Sequence, residues 1–275
     1  MKEIRKQIWV ETEWQGANVS CIGTERGTVL VDIPTLPGNA RTWKAKITEM
    51  GLPEVAYIIN TDHHFDHLMG NCFFNGLIIT HKLAAEEIAK PGGTLFEGFI
   101  DNWKENFPEE VEEAKRLCKL MTPHITFSKN MELNMGNRVL QVIHVGGHTP
   151  GTSMVYIQQE KVLFSGDTVV SNRHPFLGQG NLLEWRKALE EINKMDVETI
   201  VPGHGEVCTL NEACRLLNYF KEIESELKEQ KKKGLSKEEA AKKVDIIGYF
   251  PVDPGMEATA AQWLNMGLER FYDQV

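Results

Sequence analysis

No apolar run in this chain reaches the ~18 residues that a membrane span needs, and none stands near the start ahead of a small-residue cleavage site. The opening Met1-Lys2-Glu3-Ile4-Arg5-Lys6-Gln7 moves from charge straight into mixed sequence, so a cytoplasmic protein without a membrane partner is expected. Cysteine is sparse. Cys21, Cys72, Cys118, Cys208 and Cys214 are odd in number, scattered and without a CxxC pair, which suits reduced, buried thiols rather than a disulfide or zinc-ribbon framework. Positive charge is in deficit, 30 Lys and Arg against 39 Asp and Glu for a net charge of −9, and this disfavours nucleic acid or anionic lipid as a partner. A GxSxG nucleophile elbow is also missing, which weighs against serine-based hydrolysis. What remains is an ordinary globular composition, 41% hydrophobic and 25% charged over 275 residues. That length suits one large α/β domain or two small ones.

The pattern along the chain repeats. Two apolar segments from Asn18 to Asp32 flank Glu25-Arg26-Gly27 and read as a hairpin. A helix is expected over Arg41 to Met50, and a buried strand over Val55 to Ile59 that empties into Asn60-Thr61-Asp62-His63-His64-Phe65-Asp66-His67. The order returns with Val162-Leu163-Phe164 leading to Asp167, a helix over Leu182 to Met195, and Val197 to Val201 leading to Pro202-Gly203-His204. An offset of 142 pairs Gly38 with Gly180, Asn39 with Asn181, Trp43 with Trp185, Glu49 with Glu191, Val55 with Val197 and Ile58 with Ile200. Two such halves imply two packed sheets with helices outside and one site shared between them. A helical insertion over about 91–125 carries Phe96, Phe99, Trp103 and Phe107, which either cover the site or pack in the core. The body is thus expected over 1–210, with a C-terminal helical extension over 211–275 packed on it. In that extension Leu216, Phe220, Ile223 and Leu227 keep helical spacing, and Ser236-Lys237-Glu238-Glu239 signals a capping box.

Of the nine histidines, His63, His64 and His67 fall within five positions, interleaved with Asp62 and Asp66. Neither core packing nor a solvated face explains that density. On an extended strand end, residues 62 and 64 share a side, while Asp66 and His67 lie beyond a turn and can face a second centre. His148 in Gly146-Gly147-His148-Thr149-Pro150-Gly151, Asp167 in Ser165-Gly166-Asp167-Thr168, and His204 in Pro202-Gly203-His204-Gly205 also stand among glycines after strands. Imidazole with carboxylate suits divalent zinc, iron or manganese. His81, His124 and His144 read as structural. His174 lies in the loop after Asp167, where it would contact substrate or donate a proton.

These residues, over roughly Asn18 to Gly205, resemble the metallo-β-lactamase-fold superfamily, whose motif runs HxHxDH, then His, Asp and His; the early strand end at Asp32 is shared too. The resemblance implies an α/β fold, a four-layer αββα sandwich, in agreement with the repeat. It implies two divalent metal ions, with His64 and His148 at the first, Asp66, His67 and His204 at the second, and Asp167 bridging. One position departs. Asp62 stands where the family has its first histidine, giving DxHxDH, so the first centre would be Asp62, His64, His148 and the bridge. Zinc is the first candidate, and the harder carboxylate tilts the site toward iron or manganese. Two other readings stay open: His63 swings in as a ligand against the strand alternation, or the first centre is weakened and only the second fills.

A dinuclear site lowers the pKa of a bridging water and polarises the bond to be broken. The resemblance gives Asp66 the catalytic role of holding the second metal and orienting that water. The expected activity is hydrolysis of a small ester, thioester, lactone or amide-like substrate. An iron-dependent oxidoreductase of the same fold, motivated by Asp62, is the first alternative. A metal-binding or regulatory module without efficient turnover is the second. The aromatic tail, Tyr249-Phe250-Pro251 and Trp263 to Tyr272, is available to pack on the site or on a second subunit in a homo-oligomer.

Overall fold

A computed structural model describes residues 1–252, 255 and 257–275, so Asp253, Pro254 and Met256 of the expected C-terminal extension lie outside the described residues. Among the described residues the strands form two sheets. The first runs in chain order through β1 (Lys2–Arg5), β2 (Ile8–Glu11), β3 (Val19–Thr24), β4 (Gly27–Val31), β5 (Val55–Ile59), β6 (Leu77–His81) and β7 (Ile125–Phe127). It is antiparallel as far as β4 and parallel beyond it. The second sheet has the order β12-β11-β10-β9-β8, from β8 (Asn130–Asn134), β9 (Val139–His144), β10 (Ser153–Ile157), β11 (Val162–Val170) and β12 (Thr199–His204).

Strand alternation sorts the apolar residues into layers. Val29, Val31 and Ile59 of the first sheet meet Val142, Val155, Ile157 and Phe164 of the second in a core between the sheets. Leu30 and Ile58 point the other way, onto Ala40, Trp43 and Ile47 of α1 (Pro37–Glu49). Met154, Tyr156 and Leu163 leave the second sheet outward, toward α6 (Leu182–Ile192), α7 (Leu210–Lys232) and α9 (Glu257–Tyr272). The result is the expected αββα sandwich of two similar halves. In each half a parallel crossover carries one fully buried indole, Trp43 on β4-α1-β5 and Trp185 on β11-α6-β12. Truncating so large a buried ring costs about 3–5 kcal/mol.

Boundaries differ where capping decides them. α1 starts four residues before the expected Arg41, because Pro37 fits the first helical turn, where its missing N–H has no partner to lose. α6 ends at Ile192 rather than Met195, and the last strand is displaced onto Thr199–His204. After α2 (Phe65–Leu68) and α3 (Lys82–Ile88), the aromatic insertion is helical but interrupted. Leu95 takes a left-handed conformation, α4 (Phe96–Phe99) passes into a 3-10 turn over Ile100–Trp103, and α5 (Pro108–Leu117) restarts at a proline. The short α8 (Lys237–Ala241) begins at Ser236 with the expected reciprocal capping by Glu239. No helix among the described residues is long and apolar enough to cross a membrane.

Candidate metal centre

The loops that leave β4, β5 and β12 at their carboxyl ends converge with the loop between β9 and β10 and with the middle of β11. Close backbone approach makes this convergence workable. A Cβ on Gly147, which has φ +88°, would fall 2.6 Å from the Cα of Trp185, so only glycine lets the His148 loop lie on α6. The same loop is held by a hydrogen bond from Asn181 N to the Gly147 carbonyl, and the Trp185 indole donates to Thr168 O beside Asp167. Asn18 fixes the His204 loop from the opposite half, its amide donating to the carbonyls of Pro202 and Gly205.

Two groups of ligand atoms result, Asp62 with His64 and His148, and Asp66 with His67 and His204. Nδ1 of His64 and Nε2 of His148 stand 3.1 Å apart. The Gln179 side-chain oxygen accepts from Nε2 of His64 at 3.1 Å, which leaves Nδ1 as the lone-pair nitrogen. In the second group, Nε2 of His204 lies 3.2 Å from Asp66 Oδ2 and 3.4 Å from Asp167 Oδ1. Nε2 of His67 lies 3.5 Å from the same Asp167 oxygen. The other Asp167 oxygen, Oδ2, is 3.3 Å from His148, so one carboxylate spans both groups. His67 is oriented from behind: Nδ1 donates to Asp32 Oδ2 at 2.9 Å, and Asp32 in turn accepts from the amide and hydroxyl of Thr61.

The donors fit divalent metal ions. Nε2 of His67 and Oδ1 of Asp167 are buried with no hydrogen-bond partner among the described residues, although both are strong polar groups aimed at one point. The electrostatics agree. Burial alone would push His204 down, but Asp167 and Asp66 outweigh it and raise it to about 9. Burial is overcome in the same way at His67, which Asp32 and Asp167 hold well above the usual histidine value. His64 and His148 are pushed down by burial, as suits neutral ligand imidazoles. Burial would raise Asp167, yet the imidazoles of His204, His67 and His148 hold it well below the carboxylate range. The pocket is built to prefer positive charge.

The structure brings all seven expected ligand positions together, and Asp62 has a further set of contacts that the sequence did not show. Its Oδ1 accepts from the backbone N–H groups of His63 and His64, at 2.6 and 2.9 Å. Its Oδ2 accepts from the hydroxyls of Thr149 and Thr152, each at 2.8 Å. His63 stands outside both groups, with Nε2 on Gln179 at 3.0 Å. His174 lines the cavity above the site, but Nδ1 faces the Tyr219 hydroxyl and Nε2 the Ile247 carbonyl, both at 3.1 Å. Thr149 and Thr152 flank His148 in one loop, so a hydroxyl pair there was a usable signal. For Gln179, as for Asn18, nothing local in the sequence points to the role.

The cavity measures about 610 Å³. Asp66, Asp167, His64, His148 and His204 form part of its lining, with Phe65, Phe99, Trp103 and Phe107 from α2 and the insertion, Phe176 from the loop after β11, and Trp263 from α9. Arg173 stands exposed on the same cavity.

A model of the metallo-beta-lactamase superfamily matches residues 12–204. The chain is 26% identical to the acyl-coenzyme A thioesterase MBLAC2 of Homo sapiens over 163 residues, covering 53% of this chain and 54% of that protein. It is 27% identical to a probable metallo-hydrolase of Methanocaldococcus jannaschii over 194 residues, 65% of this chain and 83% of the relative. The chain therefore spans about half the length of the thioesterase relatives it matches. The solved structure of a metallo-beta-lactamase family protein from Thermus thermophilus superposes with a TM-score of 0.70 at 18% identity, covering 99% of this chain and 95% of that one, a likeness of fold.

Proposed function

The chain belongs to the metallo-beta-lactamase superfamily, and from that membership we propose that it is a metal-dependent hydrolase of a small ester, thioester, lactone or amide-like substrate, an acyl thioester fitting best. One observation carries the reading: a ligand cluster of imidazoles and carboxylates lines a cavity that is otherwise largely apolar and rich in aromatic rings. The aromatic walls suit an apolar acyl group. Arg173, exposed and with no ion-pair partner among the described residues, suits an anionic leaving portion. An acyl thioester of a phosphorylated carrier has both parts, and the thioesterase relatives support the same class.

His64 and His148, Asp66, His67 and His204, and the shared Asp167 would hold divalent ions, zinc first, which would supply Lewis acidity and a water acidified toward neutrality. The protein's own part is placement. Asp66 is partly open to the cavity, and although burial would raise it, His67 and His204 hold it low, so it is ionised and accepts a hydrogen bond from the attacking water. Asp32 fixes the ring of His67, and the aromatic walls keep bulk water from the acyl group. His174 acts as a wall residue, since both its nitrogens are engaged. The iron oxidoreductase alternative drew on Asp62 as a carboxylate ligand, and the four donors on that side chain support the hydrolase reading over it.

Acyl thioesters of increasing chain length are the test. We expect kcat/KM to rise with acyl length, activity to be lost to a chelator and restored by zinc, and Asp66→Ala to lower kcat by about 10²–10⁴-fold with the fold intact. Full activity in Asp66→Ala would sink the assigned role. No turnover on any ester, thioester or lactone, with metal bound, favours the binding module instead.

A further inference from the structure

We propose that the two metal centres are unequal because Asp62 is a clasp rather than a ligand: the centre of Asp66, His67, His204 and Asp167 holds one ion tightly, and the centre of His64 and His148 takes a second ion weakly and exchangeably. The inference rests on the metal-dependent reading above and deepens it.

Asp62 is fully buried, and an ionised carboxylate has about four acceptor positions. All four are used by the protein. The N–H groups of His63 and His64 take Oδ1, while the hydroxyls of Thr149 and Thr152 take Oδ2. The two hydroxyls also stand 2.9 Å from each other, and with Thr152 Oγ1 already accepting from the Thr149 amide, the assignment that sends both hydroxyl protons to Asp62 is the one the clasp requires. Oδ1 stands 3.4 Å from His64 Nδ1, near the first centre, but coordination there would draw it off two N–H groups that have no other partner among the described residues. What the arrangement does is tie the loop after β5 to the loop between β9 and β10. Those loops carry His64 and His148, and the clasp holds Nδ1 of the one and Nε2 of the other 3.1 Å apart. Asp62 is thus a positioning residue for two imidazoles, and the first centre is left with those two and an oxygen shared with its neighbour. The second centre has two imidazoles and a carboxylate of its own beside the shared one. His67 there is backed by Asp32, the kind of outer support whose loss costs about 10–100-fold in metal affinity.

The experiment is a titration of the metal-stripped full chain with zinc against a chromophoric chelator, with metal content measured after dialysis. One ion retained per chain, and a second bound at least about tenfold more weakly, is the expected result. His204→Ala should abolish the retained ion, whereas His64→Ala should leave it and remove the weak one. The double variant Thr149→Val, Thr152→Val separates clasp from ligand. If Asp62 positions, freeing Oδ2 weakens the second ion further; if it ligates, freeing Oδ2 strengthens that ion. Two tightly held ions in the unaltered chain overturn the proposal, as does a retained ion that survives His204→Ala and is lost in His64→Ala. These readouts do not depend on turnover. A protein that binds as stated yet hydrolyses nothing removes the proposed function and leaves the unequal centres standing.

Discussion

At the scale of single residues, the site depends on a glycine as much as on any ligand. Gly203 immediately precedes His204, and a Cβ there would run into Asp167 Oδ1 while standing 2.7 and 2.8 Å from the backbone of Gly166 and Asp167. Those are backbone contacts that no rotamer change relieves. Gly203→Ala is therefore expected to displace the shared carboxylate and lower metal retention at both centres, with far-UV circular dichroism unchanged. Gly98→Ala, where a Cβ meets open space, is the control that should leave retention untouched. Wild-type metal content in Gly203→Ala would mean that Asp167 is not shared. The candidate ligands were legible because each is a metal-capable residue set where a strand runs out among glycines. Asp62 was legible as a position, and its hydroxyl partners were not. Its two hydroxyl partners lie 87 and 90 residues away, and only the fold brings that loop back across the first.

Elements carry the next level of the argument, and the junction of β6 with α3 gives a pH dependence. His81 ends β6 and caps α3, its Nδ1 accepting from the Leu83 amide at 3.3 Å. Its ring stacks on His144 of β9, centroids 3.7 Å apart and planes 6° from parallel, so it also joins the two sheets. Burial, with His144 and Lys82 adding to it, pushes His81 down to about 4. An unfolded histidine titrates near 6.5, so between about 6.5 and 4 the unfolded chain binds a proton that the folded one does not. The stability at issue is complete above about 6.5 and is lost as pH falls through that window. His81→Asn keeps an acceptor for the cap and removes the titration. Urea midpoints measured at pH 7 and pH 5 should drop less in the variant than in the wild type, and an equal drop in both would contradict the assignment. The crossovers around Trp43 and Trp185 could be read from the sequence because apolar period and offset agree there. The insertion could not, since its aromatics sit at helical spacing while Leu95 and Pro108 interrupt the backbone, a conflict between pattern and local conformation that spacing alone does not resolve.

Across the whole molecule, the outer helical layer of the second sheet is supplied largely from beyond the family match at 12–204. Only α6 of that layer falls inside it. Leu216, Tyr219, Phe220 and Ile223 of α7 and Leu264, Leu268 and Phe271 of α9 share one core with Met154, Leu163 and Trp185. The Tyr219 hydroxyl, itself buried, reaches His174 beside the cavity, and Trp263 of α9 stands in the cavity wall. The extension therefore both closes the sandwich and shapes the site. A chain ending at Leu210 would leave the outward face of the second sheet largely uncovered, and at about 25 cal/mol per Å² of apolar area the loss exceeds the margin by which a domain of this size is stable. We expect that truncated chain to lose its cooperative thermal transition and near-ultraviolet circular dichroism and to bind a hydrophobic dye, even with zinc present. A cooperative transition within a few degrees of the full chain's would instead make residues 211–275 an appended unit. In that case the aromatic wall that Trp263 contributes would be dispensable for the fold and open to substitution for specificity alone.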